Sequence, residues 1–170
     1  MVLPGGDAVP VSLAIAPDDL RQLADHDATP RTFPGRAGPL AALDTGGDDG
    51  RATVLMVAGY TGSKEDFAPL LAPLAAAGYR VVAIDQRGQY ESPGPDDPAA
   101  YTVEELAADV LVVAALLRAE SEGPLHLLGH SFGGLVTRAA VLAEPALFTT
   151  FTLLGSGPAQ LGGRLRREVD

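Results

Sequence analysis

The chain has no cysteine in its 170 residues. That excludes a disulfide framework and any thiolate metal site. Histidine is scarce too: His26, His126 and His130 are the only three, and their positions do not read as a ligand cluster. No metal or other cofactor is therefore expected. Lysine occurs once, at Lys64, and the net charge is −10. A chain this acidic is a poor match for nucleic acid or for anionic membrane surfaces. Its carboxylates are spread over loops and helix starts and read as solvated surface. Long apolar runs are also missing. No stretch approaches the roughly 18 residues of a membrane span, and Met1 to Pro10 lacks the basic start and apolar core of a signal peptide. The expectation is a cytoplasmic protein of one domain, with 46% apolar residues to build its core.

What is present is a regular alternation. Residues 1–16 read as a loose lead-in rich in proline and glycine. Residues 17–27 suit a short helix, with Pro17 at a first helical position and Asp18 and Asp19 at its N-terminus. Residues 30–33 and 39–44 read as two short strands around a turn, and 45–50 as a surface loop. Thr53 to Ala58 and Arg80 to Asp85 are near-continuous apolar runs, the pattern of strands buried on both faces of a parallel sheet. Between them Phe67, Leu70, Leu71 and Leu74 fall at helical spacing, ended by Gly78. Pro73 inside that pattern predicts a kink or a later helix start. Thr102 with Glu105 is a capping-box signature, and Leu106, Val110, Val113 and Leu117 continue a helical stripe. Leu125 to Leu128, a helix from Gly134 to Leu142 and a strand at Thr150 to Leu154 complete the series. Strand alternating with helix from residue 53 onward implies right-handed crossovers, a mostly parallel sheet and helices on both faces. Sites in such sheets gather at the C-terminal ends of the strands.

One of those ends carries Gly129-His130-Ser131-Phe132-Gly133. The pattern G-x-S-x-G between a strand and a helix is the context of a nucleophile elbow. A serine at so tight a turn sits in a strained backbone conformation, and Gly129 and Gly133 must lack bulk. The turn lifts the Ser131 hydroxyl clear of the sheet. It also aims the Phe132 amide at the place where an oxyanion forms.

Three blocks together resemble the α/β-hydrolase fold superfamily, of the serine esterase and lipase kind. The elbow, continued by Gly134, resembles that family's Gly-His-Ser-x-Gly-Gly. Ala58-Gly59-Tyr60 lies where many members have His-Gly-x after their third strand. Asp85-Gln86-Arg87-Gly88 resembles the Asp-x-Arg-Gly loop after the fourth. The resemblance covers residues 30 to about 158 and implies a partial domain over 30–158 with about six strands. Residues 1–29 precede it as the lead-in. Residues 159–170 follow as a charged tail at the start of a cap helix.

The resemblance also implies chemistry. Ser131 is the expected nucleophile, with the amides of Tyr60 and Phe132 as oxyanion donors and a small-molecule ester or other acyl substrate. A serine here disfavours epoxide-hydrolase or dehalogenase chemistry, for which members use aspartate. The departures matter as well. Ala58 replaces a histidine, and Tyr90 stands where the third block has glycine, so a remodelled loop is expected. The family's acid and histidine follow the serine in chain order, yet no histidine follows Ser131. His130 should point away from the hydroxyl, His126 reads as a packed strand residue, and His26 belongs near the far edge of the sheet. Asp85 reads as the holder of its loop and Asp109 as a helix-flank residue. The alternatives to a working enzyme are a truncated or split hydrolase and a noncatalytic scaffold. The strand at 150–154 should lie at the sheet edge and invite self-association.

Overall fold

A computed structural model describes residues 25–47 and 51–157. Six strands form one sheet: β1 (Thr29–Gly35), β2 (Gly38–Asp44), β3 (Thr53–Val57), β4 (Arg80–Ile84), β5 (Leu125–His130) and β6 (Thr150–Leu154). Their spatial order is β1-β2-β4-β3-β5-β6. β2 runs antiparallel to both its neighbours, and β4, β3, β5 and β6 run parallel to one another. The hairpin closes over Arg36 and Ala37, with Gly35 paired to Gly38. At φ 146° Gly38 occupies a conformation that only glycine adopts freely.

β3 and β4 are buried along their whole length, as their near-continuous apolar sequence implies. Their side chains divide by a period of two. Leu55, Val57, Val82 and Ile84 join one core with Val110, Val113, Leu117, Val136 and Ala140. Val54, Met56, Val81 and Ala83 join a second core with Phe67 and Leu71 on the other face. The helices α2 (Val103–Glu120) and α3 (Phe132–Ala143) therefore cover one face and α1 (Ala68–Ala76) the other. The mostly parallel, two-faced architecture is the one the alternation implied. Thr102 caps α2, its Oγ1 accepting from the Glu105 amide at 3.2 Å.

Some local expectations differ. Most of the helix expected over 17–27 lies outside the described residues, and Asp25 to Ala28 carries no regular structure. The 159–170 tail lies outside them too. A 3-10 turn, Lys64–Phe67, precedes α1, which starts at Ala68 and keeps Pro73 inside. A helix of 9 residues loses only one internal bond to that proline. α3 begins at Phe132, directly after the elbow serine, and carries the run from Gly134 onward. Among the described residues β6 is the outer strand beyond β5, and Leu153 and Leu154 are exposed. No helix among the described residues is long and apolar enough to cross a membrane.

Candidate active site at the strand ends

Ser131 stands between the last residue of β5 and the first of α3, at φ 51° and ψ −120°. Ser131 and Tyr90 are the non-glycine residues with positive φ among those described. The two elbow glycines are fixed by contact. A Cβ on Gly129 would lie 2.1 Å from Thr137 Oγ1 and 2.6 Å from the Gly133 carbonyl oxygen. A Cβ on Gly133 would lie 2.3 Å from the Ala58 oxygen and 2.4 Å from that of Val57. The turn is tied down by Ser131 N–H to the Leu154 oxygen and Gly134 N–H to the Ser131 oxygen, each at 3.0 Å.

β3 ends beside this turn and runs into Ala58-Gly59-Tyr60. Gly59 approaches the serine so closely that a Cβ there would sit 3.2 Å from Ser131 Cβ and 3.6 Å from its Oγ. The rings of Tyr60 and Phe132 meet edge to face, 5.9 Å between centroids. Phe132 opens α3, so its amide has no acceptor four residues back within the helix. The same two residues line a cavity of about 380 Å³ with Gln86, Arg87, Gln89 and Tyr101. The three blocks read from the sequence thus meet at one end of the sheet.

The loop after β4 is held from below. Asp85, fully buried, accepts from the Lys64 amide at 2.6 Å and from Lys64 Nζ at 2.9 Å. Nζ also donates to Glu91 at 2.6 Å and lies 4.6 Å from the centre of the Tyr90 ring. Burial pulls the Lys64 ammonium down, but the bonds to Glu91 and Asp85 outweigh it and leave its pKa above the ordinary 10.5. Asp85 holds its loop, as read. Asp109 lies on α2, as read, but its carboxylate is buried, bonded to the Arg36 amide at 2.6 Å and to Arg87 Nε at 2.9 Å. In the loop after β4, Tyr90 takes φ 42°, a left-handed conformation that glycine favours.

A family model described as alpha/beta hydrolase fold matches residues 52–169. The chain belongs to that family. A putative carbamate hydrolase RutD from Variovorax paradoxus is 40% identical over 108 residues, 64% of this chain and 39% of that relative. Lipase LipV from Mycobacterium tuberculosis is 36% identical over 90 residues, 53% of this chain and 32% of the lipase. The chain thus spans less than half the length of these relatives. An alpha/beta hydrolase structure from Novosphingobium aromaticivorans superposes with a TM-score of 0.71 at 27% identity, covering 85% of this chain and 50% of that one. Epoxide hydrolase A from Mycobacterium thermoresistibile gives 0.71 at 24% identity over 84% and 44%, a likeness of fold.

No hydrogen bond joins Ser131 to a histidine among the described residues. His26 does not sit off the far edge of the sheet. It lies 3.5 Å from Glu65 in the 3-10 turn after β3, because residues 25–28 pack toward the α1 face, where Ala28 joins the core. His126 is half-buried in β5, 2.7 Å from Thr150 Oγ1, and burial lowers its pKa from 6.5. His130 packs near Gly59 and Gly155. Sequence reading missed Lys64, Gln86 and Gln89. The lone lysine of an acidic chain, placed just after a strand end, was a usable signal for the first. Gln86 fills the variable position of the Asp85 block and Gln89 directly follows that block, and neither carried one.

Proposed function

We propose that Ser131 is the nucleophile of a serine hydrolase acting on ester-type acyl bonds of small molecules, with the Tyr60 and Phe132 amides as oxyanion donors. The observation that supports this most is the Ser131 backbone. A serine held at φ 51° between two glycines that admit no side chain carries strain of ~1–3 kcal/mol, of a kind that persists at functional sites. In the reaction the Ser131 Oγ–carbon bond forms while its proton passes to a base. The alcohol then leaves, and water frees the serine. Each oxyanion donor is typically worth ~3–4 kcal/mol in such chemistry. Relatives named as a carbamate hydrolase and a lipase support an acyl substrate.

A second reading follows from the histidines. Triad chemistry needs a base about 2.6–3.2 Å from the nucleophile, and none of the three bonds to Ser131. In this reading the chain holds the nucleophile and oxyanion loop, and the base comes from other residues or another chain. A fluorophosphonate probe, its adduct mapped by mass spectrometry, tests both. Label on Ser131 that vanishes in Ser131→Ala supports the nucleophile; label elsewhere or none at all overturns it. Slow labelling accelerated by added imidazole, with negligible p-nitrophenyl ester turnover, supports the missing base. Robust turnover without imidazole, lost in Ser131→Ala, overturns that second reading.

A further inference from the structure

The Gln89 side chain makes three hydrogen bonds, two of them to the segment that follows β3. Its Nε2 donates to the Gly59 oxygen at 2.7 Å and to the Tyr60 oxygen at 2.9 Å. Its Oε1 accepts from the Gln86 amide at 3.2 Å, and the Gln89 amide donates back to the Gln86 oxygen at 2.9 Å. Both amide hydrogens and the carbonyl of this side chain are thus engaged. Gln86 adds a bond from its own Nε2 to the Ala58 oxygen at 3.0 Å.

The carbonyls are the informative part. The Gly59 oxygen belongs to the same peptide unit as the Tyr60 N–H. That unit is planar and trans, so its C=O and N–H point in opposite directions. Fixing the Gly59 oxygen toward Gln89 therefore fixes the Tyr60 N–H away from it. The Tyr60 oxygen belongs to the next unit. Holding both oxygens fixes the two peptide planes that flank the Tyr60 Cα, and with them its φ and ψ. The Gly62 amide also reaches the Gly59 oxygen, at 3.2 Å, but it leaves the second plane free. An amide whose oxygen accepts hydrogen bonds is also polarised into a better N–H donor.

We propose that Gln89 is a positioning residue for the oxyanion hole, orienting and polarising the Tyr60 amide. This rests on the serine-hydrolase reading of Ser131. Gln89 touches no reacting atom in this account; it acts through the Gly59-Tyr60 peptide.

The test compares Gln89→Glu and Gln89→Met, which keep the side chain's length and lose its donors, with Gln89→Lys, which keeps a donor. The first readout is the three-bond amide–Hα coupling of Tyr60 in the free protein, which reports its φ without any reagent. It should keep the wild-type value in Gln89→Lys and move toward conformational averaging in the other two. An unchanged coupling in both donor-less variants overturns the proposal, whether or not Ser131 reacts. The second readout is the fluorophosphonate labelling rate of Ser131, with imidazole present. It should fall about 10- to 100-fold in Gln89→Glu and Gln89→Met, less than the loss of a whole oxyanion donor, and recover in Gln89→Lys. Melting temperatures near wild type separate this effect from unfolding. Equal labelling rates in all four proteins overturn the polarising role. Absence of label in the wild type instead sinks the serine-hydrolase reading and leaves the coupling to decide orientation.

Discussion

At the end of the sheet where β4 begins, charged side chains bond mainly to one another. Arg80 donates from Nε and Nη2 to Asp44 at 3.0 and 2.6 Å, and from Nη2 to Glu120 at 3.0 Å. Arg31 bonds to both carboxylates from β1. At the opposite end, where β3 and β4 stop, polar side chains reach mainly for the main chain. Gln86 holds the Ala58 oxygen and Gln89 those of Gly59 and Tyr60. Asp85 takes the Lys64 amide, Asp109 the Arg36 amide, and Ser92 Oγ bridges the Asp85 oxygen and the Ala41 amide. The first network ties β1, β2, β4 and α2 together. The second gives irregular loops one shape. Loss of a charged pair in the first should therefore show in stability, and loss of the main-chain bonds from Gln86 and Gln89 in the behaviour of Ser131.

The largest effect is expected where the site end is built by backbone contact alone. In Gly133→Val the side chain would run into the Val57 and Ala58 carbonyls, which are main chain and cannot step aside. A loss of about 3 kcal/mol or more is expected by chemical denaturation, at the upper end for overpacked sites. A loss under about 1 kcal/mol would mean that α3 slides away from β3 at little cost.

Asp44→Asn comes next. It leaves Arg80, buried in the described structure, with a weakened partner, but Glu120 still accepts from its Nη2, so the loss should fall below the roughly 3–5 kcal/mol of a buried pair broken outright. The labelling rate of Ser131 should stay within about twofold, since Asp44 lies at the other end of β4. If stability held and labelling fell, the contrast between the ends would be wrong.

Acid should then separate the same regions. Burial raises the Asp44 carboxyl, but its bond to Arg80 and those from Gly46 and Arg31 leave it below 3.8. The bond from Arg31 brings Glu120 below 4.5. Folded values that lie below the unfolded ones stabilise the fold above them, and that contribution is lost as pH falls through the folded values. His126 acts earlier. Burial lowers its pKa from 6.5, so its neutral form is favoured on folding, and stability declines as pH drops below 6.5. Melting temperature against pH should show a shallow fall beginning near 6.5 and a steeper one in the carboxylate range. His126→Gln should remove the first and Asp44→Asn should flatten the second. A single fall untouched by either substitution would contradict both assignments.

The elbow was legible because its signal is local. Five consecutive residues carry the turn, and the steric reason for Gly129 and Gly133 follows from the turn itself. β3 and β4 were legible because burial on both faces favours near-continuous apolar runs. The carboxylates and histidines were less so, since their partners are set by the crossovers. Asp109 meets Arg87, 22 residues away, and Arg36, 73 away. Its helical stripe says which face α2 buries but not that a hairpin turn caps it. Lys64 drew no reading beyond being the single lysine, yet it is 1% exposed, because Asp85 and Glu91 offer it partners only after β4 has paired with β3. His26 was placed by chain order, and the route of residues 25–28 across the α1 face is a packing outcome that no spacing encodes.

The smallest effect belongs to Tyr90. Its φ of 42° costs about 1–2 kcal/mol in a residue with a Cβ, and Tyr90→Gly relieves it. Two losses oppose that gain. The ring gives up its contact with the Lys64 ammonium, worth about 0.5–1 kcal/mol at an exposed site, and the ring is exposed. Glycine also loosens the unfolded chain, by about 0.4–1 kcal/mol. The terms nearly cancel, so stability should stay within about 1 kcal/mol of wild type. Lys64→Met is the sharpening partner, because it takes the ammonium from both Asp85 and Glu91. A buried carboxylate left without its cation costs about 3–5 kcal/mol. If Tyr90→Gly alone approached that loss, the ring and not the carboxylates would be what holds Lys64, and the loop after β4 would be closed by its exposed aromatic side chain instead of its buried charges.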